Sequence, residues 1–464
     1  MYPFLLILLL FIAASFVVVK NVRADSFILS KSLNSYVLGL SAGATANSGF
    51  IVIGAVGMGY SMGLYSLLFP ISWLIGDLVF WNFFSKKIVM LSTDKSILSV
   101  PELITSGLTQ TEKLKKVPLQ QILGGIIAFF LLAYLVAQFS SIEKATSNFI
   151  DLNSSVIMII ALVAIIIYSS IGGFVASVAT DLLQGSLMIL LTTFILIWGI
   201  VHLGGIGLTL NKLSTLDPSL LDLNGEMTLT ASLIFVIGFA FTAFGFNMSQ
   251  PQMTTRFMAA RDTIHITKAK YVYIAFLQYT WVGMCMIGLL IRLIIPDIQD
   301  PEIALPILAK TYFSPFIASF VLAGMLAAIV STLDSLLVSI ANSLSHDVFR
   351  SSQKRNGLII SRVVMLVTGI FAIGLSTFVS SSVFSLSLLS AGLLAGTIGV
   401  LVTMKVIYKV LDKKIVIYSL IGGIIVVLSW REFQPVASIS EGMAAFVVSS
   451  LIYILSTRFK LKSN

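Results

Sequence analysis

Apolar stretches long enough to cross the roughly 30 Å hydrocarbon core of a bilayer recur along almost the whole chain. They fall near residues 3–19, 36–62, 64–84, 118–140, 155–171, 175–201, 230–250, 268–294, 315–343, 358–378, 383–406, 413–430 and 438–457, thirteen in all. An α-helix pairs its backbone groups internally, which a lipid environment demands, so this pattern predicts an all-α polytopic membrane protein. Charged residues make up 11% of the chain and hydrophobic ones 57%, whereas a soluble domain carries roughly 25% charged residues. A single cysteine, Cys285, cannot form an internal disulfide, and His202, His265 and His346 compose no HExxH or Cys/His cluster. Metal-dependent catalysis is not expected from such a set, and no enzymatic chemistry is visible.

The first stretch has the apolar core of a signal peptide, yet no positive charge precedes it and Lys20, Arg23 and Lys31 follow it. It reads as a retained helix with its N-terminus outside. With that layout the basic residues sort by side, as the positive-inside rule requires. Inside segments hold Lys86, Lys87, Lys95, Lys113, Lys115, Lys116, Arg256, Arg261, Lys268, Lys270, Arg350, Lys354, Arg355, Arg362, Lys405, Lys409, Lys413, Lys414, Arg458, Lys460 and Lys462. Outside segments hold only Lys144, Lys212, Arg292, Lys310 and Arg431, with acidic Asp217, Asp222, Glu226, Asp297, Asp300 and Glu302 beside them. The net charge of +9 is therefore topological and does not point to nucleic acid. The expectation is thirteen spans, N-out and C-in, in a plasma or bacterial inner membrane, with no obligate protein partner.

Two spans are built to break. The second contains LSAGATANSGFIVIGAVGMG (40–59) and the seventh FVIGFAFTAFGFNMSQPQMTTRFMAA (235–260), both crowded with small and polar residues. A small-residue packing face would explain either one alone. Together, five spans apart, they suggest two halves of opposite orientation, spans 2–6 and 7–11, each opening on a discontinuous helix as in secondary transporters. The organisation expected is a peripheral helix in 1–24, a first repeat in 25–201, an outer loop in 202–229, a second repeat in 230–410, and two peripheral helices with a basic tail in 411–464.

Only three carboxylates remain within the spans: Asp77, Asp181 and Asp334. A charge at such a depth costs about 3 kcal/mol or more and marks a functional candidate. At 1.5 Å per residue, Asp334 lies roughly 13 Å from the cytoplasmic end of its span, Asp181 about 9–10 Å and Ala44–Asn47 roughly 12–16 Å. These segments share one layer. Around the ninth span Ala328, Ser331, Thr332 and Ser335 occupy one face, with Asp334 about 100° from Ser335. Hydroxyls, carboxylates and unwound carbonyls form an oxygen-only set, suited to a hard monovalent cation. Two adjacent sites fit there, and a proton on an aspartate is the other option. Asp77 lies nearer the cytoplasm above Lys86 and Lys87, where an ion pair or a solvated cavity wall is favoured over a coupling role.

LAGMLAAIVSTLDSLLVSIANSLSHDVF (322–349) resembles the signature segment of the sodium:solute symporter family, the carriers of proline, sugars, iodide and sialic acid. DSFILSKSLNSYVLGLSAGATANSGF (25–50), SVPELI (99–104), YSSIGGFVASVATDLLQGSLM (168–188) and SQPQMTTRFMAARD (249–262) resemble further family stretches, in the same order. The resemblance covers about 25–410 and implies the LeuT-type five-plus-five core, with one extra helix before it and two after. It places the main sodium site on Ala44 and Asn47 of the second span and on Ala328, Ser331 and Thr332 of the ninth. A second sodium site of some members would fall on Asp181, Asp334 and Ser335.

For the solute, the resemblance points to Thr45, Ala46, Ser48, Pro70, Trp73, Gln138, Asn247 and Gln250. Gln138 serves equally well as an interhelical hydrogen-bond group, and Pro70 as a helix kink. Proline carriers place Trp and Tyr where Ala243 and Asn247 stand, and Asp where Ala46 stands, which argues against proline. The function expected is sodium-coupled symport of a small polar organic solute by alternating access, with Na⁺ as the coupling ion and no other cofactor. A proton-coupled carrier using Asp181 or Asp334 and a transporter-like sensor are the alternatives.

Overall fold

A computed structural model describes residue 13 and residues 33–463, apart from 95–96, 107–109, 148, 150–152, 259, 261–262, 351–354, 380–381, 410 and 437. The proposed first span, 3–19, lies outside the described residues except for residue 13. The described residues are mostly helical, and among them the extended pairing is limited to one bridge, Leu33 to Ala260. Nine helical segments are long and apolar enough to cross a membrane among the described residues.

Both discontinuities occur where the sequence places them. Helix α1 (Ser35–Ala46) ends at Asn47, whose backbone (φ −88°, ψ 89°) leaves the helix, and the chain resumes as a π-turn (Phe50–Ala55) leading into α2 (Val56–Met62). Gly49 closes the gap: its N–H donates to Gln138 Oε1 at 2.9 Å, and an added Cβ would lie 2.5 Å from that of Ser141. After a 3-10 turn come α3 (Leu68–Val79) and α4 (Ser85–Asp94). Pro70 sits in the first turn of α3, where its missing N–H is best tolerated. A short α5 (Val100–Thr105), capped by Ser99, precedes α6 (Gln110–Thr146).

The fifth and sixth spans are joined. Helix α7 is continuous over Ser154–His202, 49 residues. At 1.5 Å each these measure about 74 Å, more than twice the hydrocarbon thickness. The outer loop is partly ordered as α8 (Ile206–Leu216) and a 3-10 turn, whose Leu213 and Leu220 bury against Leu289. Helix α9 (Leu229–Ser249) stops at Gln250 in an extended conformation, and Pro251 opens α10 (Pro251–Met258). Then follow α11 (Thr263–Ile294), α12 (Ala304–Tyr312), α13 (Pro315–Asn342), α14 (Arg355–Phe378), α15 (Val383–Leu394), α16 (Val400–Tyr408), α17 (Lys413–Phe433) and α18 (Glu441–Ser463).

The two halves repeat one packing motif. Helix α1 lies against α11 and α9 against α3, so the first element of each half packs on the second element of the other. Glycine permits the approach in both: a Cβ at Gly39 would stand 2.6 Å from Ala269 O, and one at Gly76 2.6 Å from Ala240 O. This arrangement brings the broken ends of α1 and α9 together beside α13.

Candidate ion and solute sites

A helix terminus leaves its last carbonyls without intrahelical donors, and at the end of α1 those carbonyls meet the hydroxyls of α13. Ser331 Oγ donates to Ala44 O and Ala328 O, each at 2.9 Å, and Thr332 Oγ1 donates to Thr45 O at 2.9 Å. All of these residues are buried. Asn47 ends the helix; its Nδ2 reaches Met188 Sδ, while its Oδ1 is buried and accepts no hydrogen bond among the described residues. The cluster is uncharged, made of carbonyl and hydroxyl oxygens. Its Ser and Thr hydroxyls rotate freely between donating to a carbonyl and turning lone pairs to a cation. Neutral oxygens of this kind suit a hard monovalent ion.

The two aspartates meet a partner that the sequence layout misplaced. Arg256, counted among the cytoplasmic charges, is buried on α10 and pairs with Asp181 Oδ2 at 2.8 Å. Its guanidinium also donates to Ser41 Oγ (2.9 Å), Ser335 Oγ (3.0 Å), Ser177 Oγ (3.4 Å) and Gln252 O (2.9 Å). Ser41 Oγ donates to the same Asp181 oxygen at 2.5 Å. Asp334 turns away to accept from Ser169 Oγ at 2.5 Å. Asp181, Ser335 and Arg256 are thus brought together, with Asp334 on the neighbouring side. The guanidinium pairs with only one of the two carboxylates, and Asp181 Oδ1 and Asp334 Oδ2 are buried without hydrogen bonds among the described residues.

A cavity opens between the broken helices, lined by Ala46, Phe50, Ile51, Trp73, Tyr134, Phe246, Asn247, Gln250, Tyr273, Leu277, Trp281, Ser387, Leu388 and Ala391. Four expected solute residues line it: Ala46, Trp73, Asn247 and Gln250. Four do not. Thr45 faces α13, with its Oγ1 3.4 Å from Ser335 Oγ. Ser48 Oγ accepts from Tyr134 OH (2.8 Å) and Phe50 N (3.1 Å), holding the break in shape. Pro70 O accepts from Gln278, and Gln138 serves Gly49 as described. The aromatic wall was missed because Tyr134, Tyr273 and Trp281 come from spans whose sequences read as plain apolar helices.

Asp77 was expected to form an ion pair or part of a solvated cavity wall, and no ion pair to Lys86 or Lys87 occurs among the described residues. It is instead fully buried beside the cavity wall, where its Oδ1 accepts from Asn247 Nδ2 at 2.7 Å and from Tyr273 OH at 3.3 Å.

The sequence profile of the Sodium:solute symporter family matches residues 27–427. The chain belongs to the sodium:solute symporter family. Among curated relatives, Sodium/proline symporter 2 of Staphylococcus saprophyticus is 26% identical over 449 residues, covering 93% of this chain and 86% of its own length. The Osmoregulated proline transporter OpuE of Bacillus subtilis is 23% identical over 455 residues, covering 95% and 91%. Among solved structures, a substrate-bound, outward-open Na⁺-coupled sialic acid symporter gives a TM-score of 0.79 at 17% identity, over 98% of this chain and 95% of that one. Mhp1, a nucleobase-cation-symport-1 family transporter in a closed conformation, gives 0.55 at 14% identity, over 95% and 96%. These likenesses establish the LeuT-type fold. As a family member, this symporter is an integral protein of the cell membrane that couples solute movement to Na⁺.

Proposed function

We propose that this symporter carries Na⁺ at the junction of α1 and α13, held by the carbonyls of Ala44, Asn47 and Ala328 and the hydroxyls of Ser331 and Thr332. The observation that carries this reading is the hydrogen-bonded contact of both hydroxyls with the last carbonyls of α1. Na⁺ there ties the broken helix to α13 and thereby fixes Ala46, which lines the solute cavity. Binding of either ligand then raises the affinity of the other by one common factor, typically worth about 1–3 kcal/mol. The solute is a small organic molecule seated between the two broken helices. The transmembrane layout is thirteen spans, N-out and C-in, in two inverted halves, 25–201 and 230–410.

A second cation site lies between Asp181 and Asp334. Its support is the charge balance: one guanidinium offsets one of the two carboxylates, and each carboxylate keeps a buried oxygen without a hydrogen bond among the described residues. Ser335 is bound to Arg256 and sits at the edge of this site. Na⁺ or a proton would equally supply the missing charge.

Uptake of radiolabelled solutes into proteoliposomes tests the reading. The result expected is accumulation driven by an inward Na⁺ gradient and abolished when K⁺ replaces Na⁺. Uptake that follows only the pH gradient would point to proton coupling, and binding without uptake would point to a sensor.

A further inference from the structure

The first turn of α15 is held by a side chain from far along the chain. Glu302 lies in a 3-10 turn, Pro301–Ile303, whose start Asp300 caps by accepting from Glu302 N at 3.0 Å. Its Oε2 accepts from Val383 N and its Oε1 from Phe384 N, each at 3.0 Å. The first N–H groups of a helix have no intrahelical partner, and Ser382 Oγ takes the next one, from Ser385 at 3.0 Å. Lys144 of α6 donates to the same Oε2 at 2.7 Å and to Asp300 at 2.8 Å. Both oxygens of Glu302 are therefore used. Its charge is matched by an ammonium group and by the positive end of a helix.

This hold fixes one wall of the solute cavity. Ser387, Leu388 and Ala391 of α15 line one side, and Ala46, Phe50 and Ile51 at the break of α1 line another. Phe384 spans the two: its ring stacks on Phe50 at 5.2 Å and meets Phe69 edge-on at 5.4 Å between centroids. Glu302 itself rests on Gly57 of α2, the continuation of the broken helix, where an added Cβ would stand 3.1 Å from its Cγ. One buried carboxylate thus joins α15 to α2 and α6, while Lys144 and Asp300 beside it are partly exposed. On the other side of the turn Arg431 donates to Ser385 O at 3.3 Å. Its helix, α17, packs chiefly on α15, α16, the turn between them and α18, so that bond ties α15 to elements that move with it.

We propose that Glu302 is a positioning residue for solute retention: it seats the first turn of α15 against the broken helix, and its release opens the cavity along α15. Loss of its bonds to Val383 and Phe384 frees Phe384 from Phe50 and leaves the α1–α13 junction in place. This inference rests on the transporter reading above for the cavity, and the test separates the two.

Cys285 is the only cysteine of the chain, so Cys285→Ser gives a background in which one introduced thiol reports alone. Ser387→Cys puts it in the solute cavity wall. Ser339→Cys puts it in a second cavity, between α5, α10 and α13, away from the clasp. Each is labelled in detergent-purified protein, in saturating Na⁺, with a hydrophilic ammonium methanethiosulfonate reagent. Glu302→Gln keeps the size of the side chain but loses the charge and one acceptor. It should raise the labelling rate at Ser387→Cys about tenfold, the scale of one charge-assisted hydrogen bond, and leave the rate at Ser339→Cys unchanged. Val383→Pro removes one of the two N–H donors without touching Glu302. Proline suits the first helical position, and Ser382 before it is already extended (φ −63°, ψ 148°). That variant should act in the same direction, and it decides the matter where Glu302→Gln does not fold. An unchanged rate at Ser387→Cys overturns the proposal. So does an equal rise at both thiols, which is what general loosening of the fold produces. Wild-type protein that Na⁺ fails to stabilise against heat would instead strike at the sodium site and the transport reading, whatever the labelling shows.

Discussion

Arg256 shows how a single side chain reorganises the interpretation of its neighbours. Its guanidinium contacts Asp181 and Ser177 of α7, Ser41 of α1 and Ser335 of α13, so the pair is a junction as well as a charge balance. Removing one member of a buried ion pair strands the other and costs about 3–5 kcal/mol, more than the pair itself contributes. Arg256→Ala and Asp181→Asn should each lower the thermal midpoint strongly, while the double variant should lose clearly less than the sum. A double-mutant cycle from denaturation in detergent would check this, and simple additivity would contradict the coupling. In sequence, Arg256 was indistinguishable from the other basic residues at cytoplasmic span ends, because burial of a charge is decided by which helices converge on it. The hydroxyls of Ser331 and Thr332 were legible, since helical spacing alone put them on one face. The partners of Asp77 were not legible, because Asn247 and Tyr273 lie 170 and 196 residues away in sequence.

Helices α1 and α9 are interrupted for local reasons that the sequence states openly. Asn47–Gly49 and Gln250–Pro251 combine residues that leave or cannot continue a helix, and both breaks appear in the structure. Less legible was the junction of spans 155–171 and 175–201, which read as separate in sequence and form one continuous helix in the structure. The approach of α1 to α11 and of α3 to α9 depends on Gly39 and Gly76. Alanine at either position meets a backbone carbonyl that cannot rotate aside, so overpacking should cost about 1–3 kcal/mol. Gly76→Ala should in addition weaken solute binding, since α3 carries Trp73 and Asp77, whereas Gly39→Ala should chiefly weaken Na⁺ binding through the end of α1. Separate titrations of Na⁺ and solute on the two variants would test that division; identical effects would argue against it.

For the molecule as a whole, helices converge on one narrow layer because their polar groups have nowhere else to be satisfied. Three features share that layer: the oxygen cluster at α1 and α13, the Asp181–Arg256–Asp334 group, and the cavity between the broken helices. Lys144 bonds Asp300 and Glu302 at 2.8 and 2.7 Å, and Glu302 accepts from Val383 N and Phe384 N at 3.0 Å each. This clasp ties α6 and the start of α15 above the cavity, with Phe384 stacked on Phe50 at 5.2 Å. The central claim is that Na⁺ joins α1 to α13, and the most direct measurement is the Na⁺-dependent rise in melting temperature, with K⁺ as control. Wild-type protein should be stabilised by Na⁺ in a saturable manner, and Ser331→Ala combined with Thr332→Ala should fold yet lose that response. An undiminished Na⁺ response in the double variant would contradict the account.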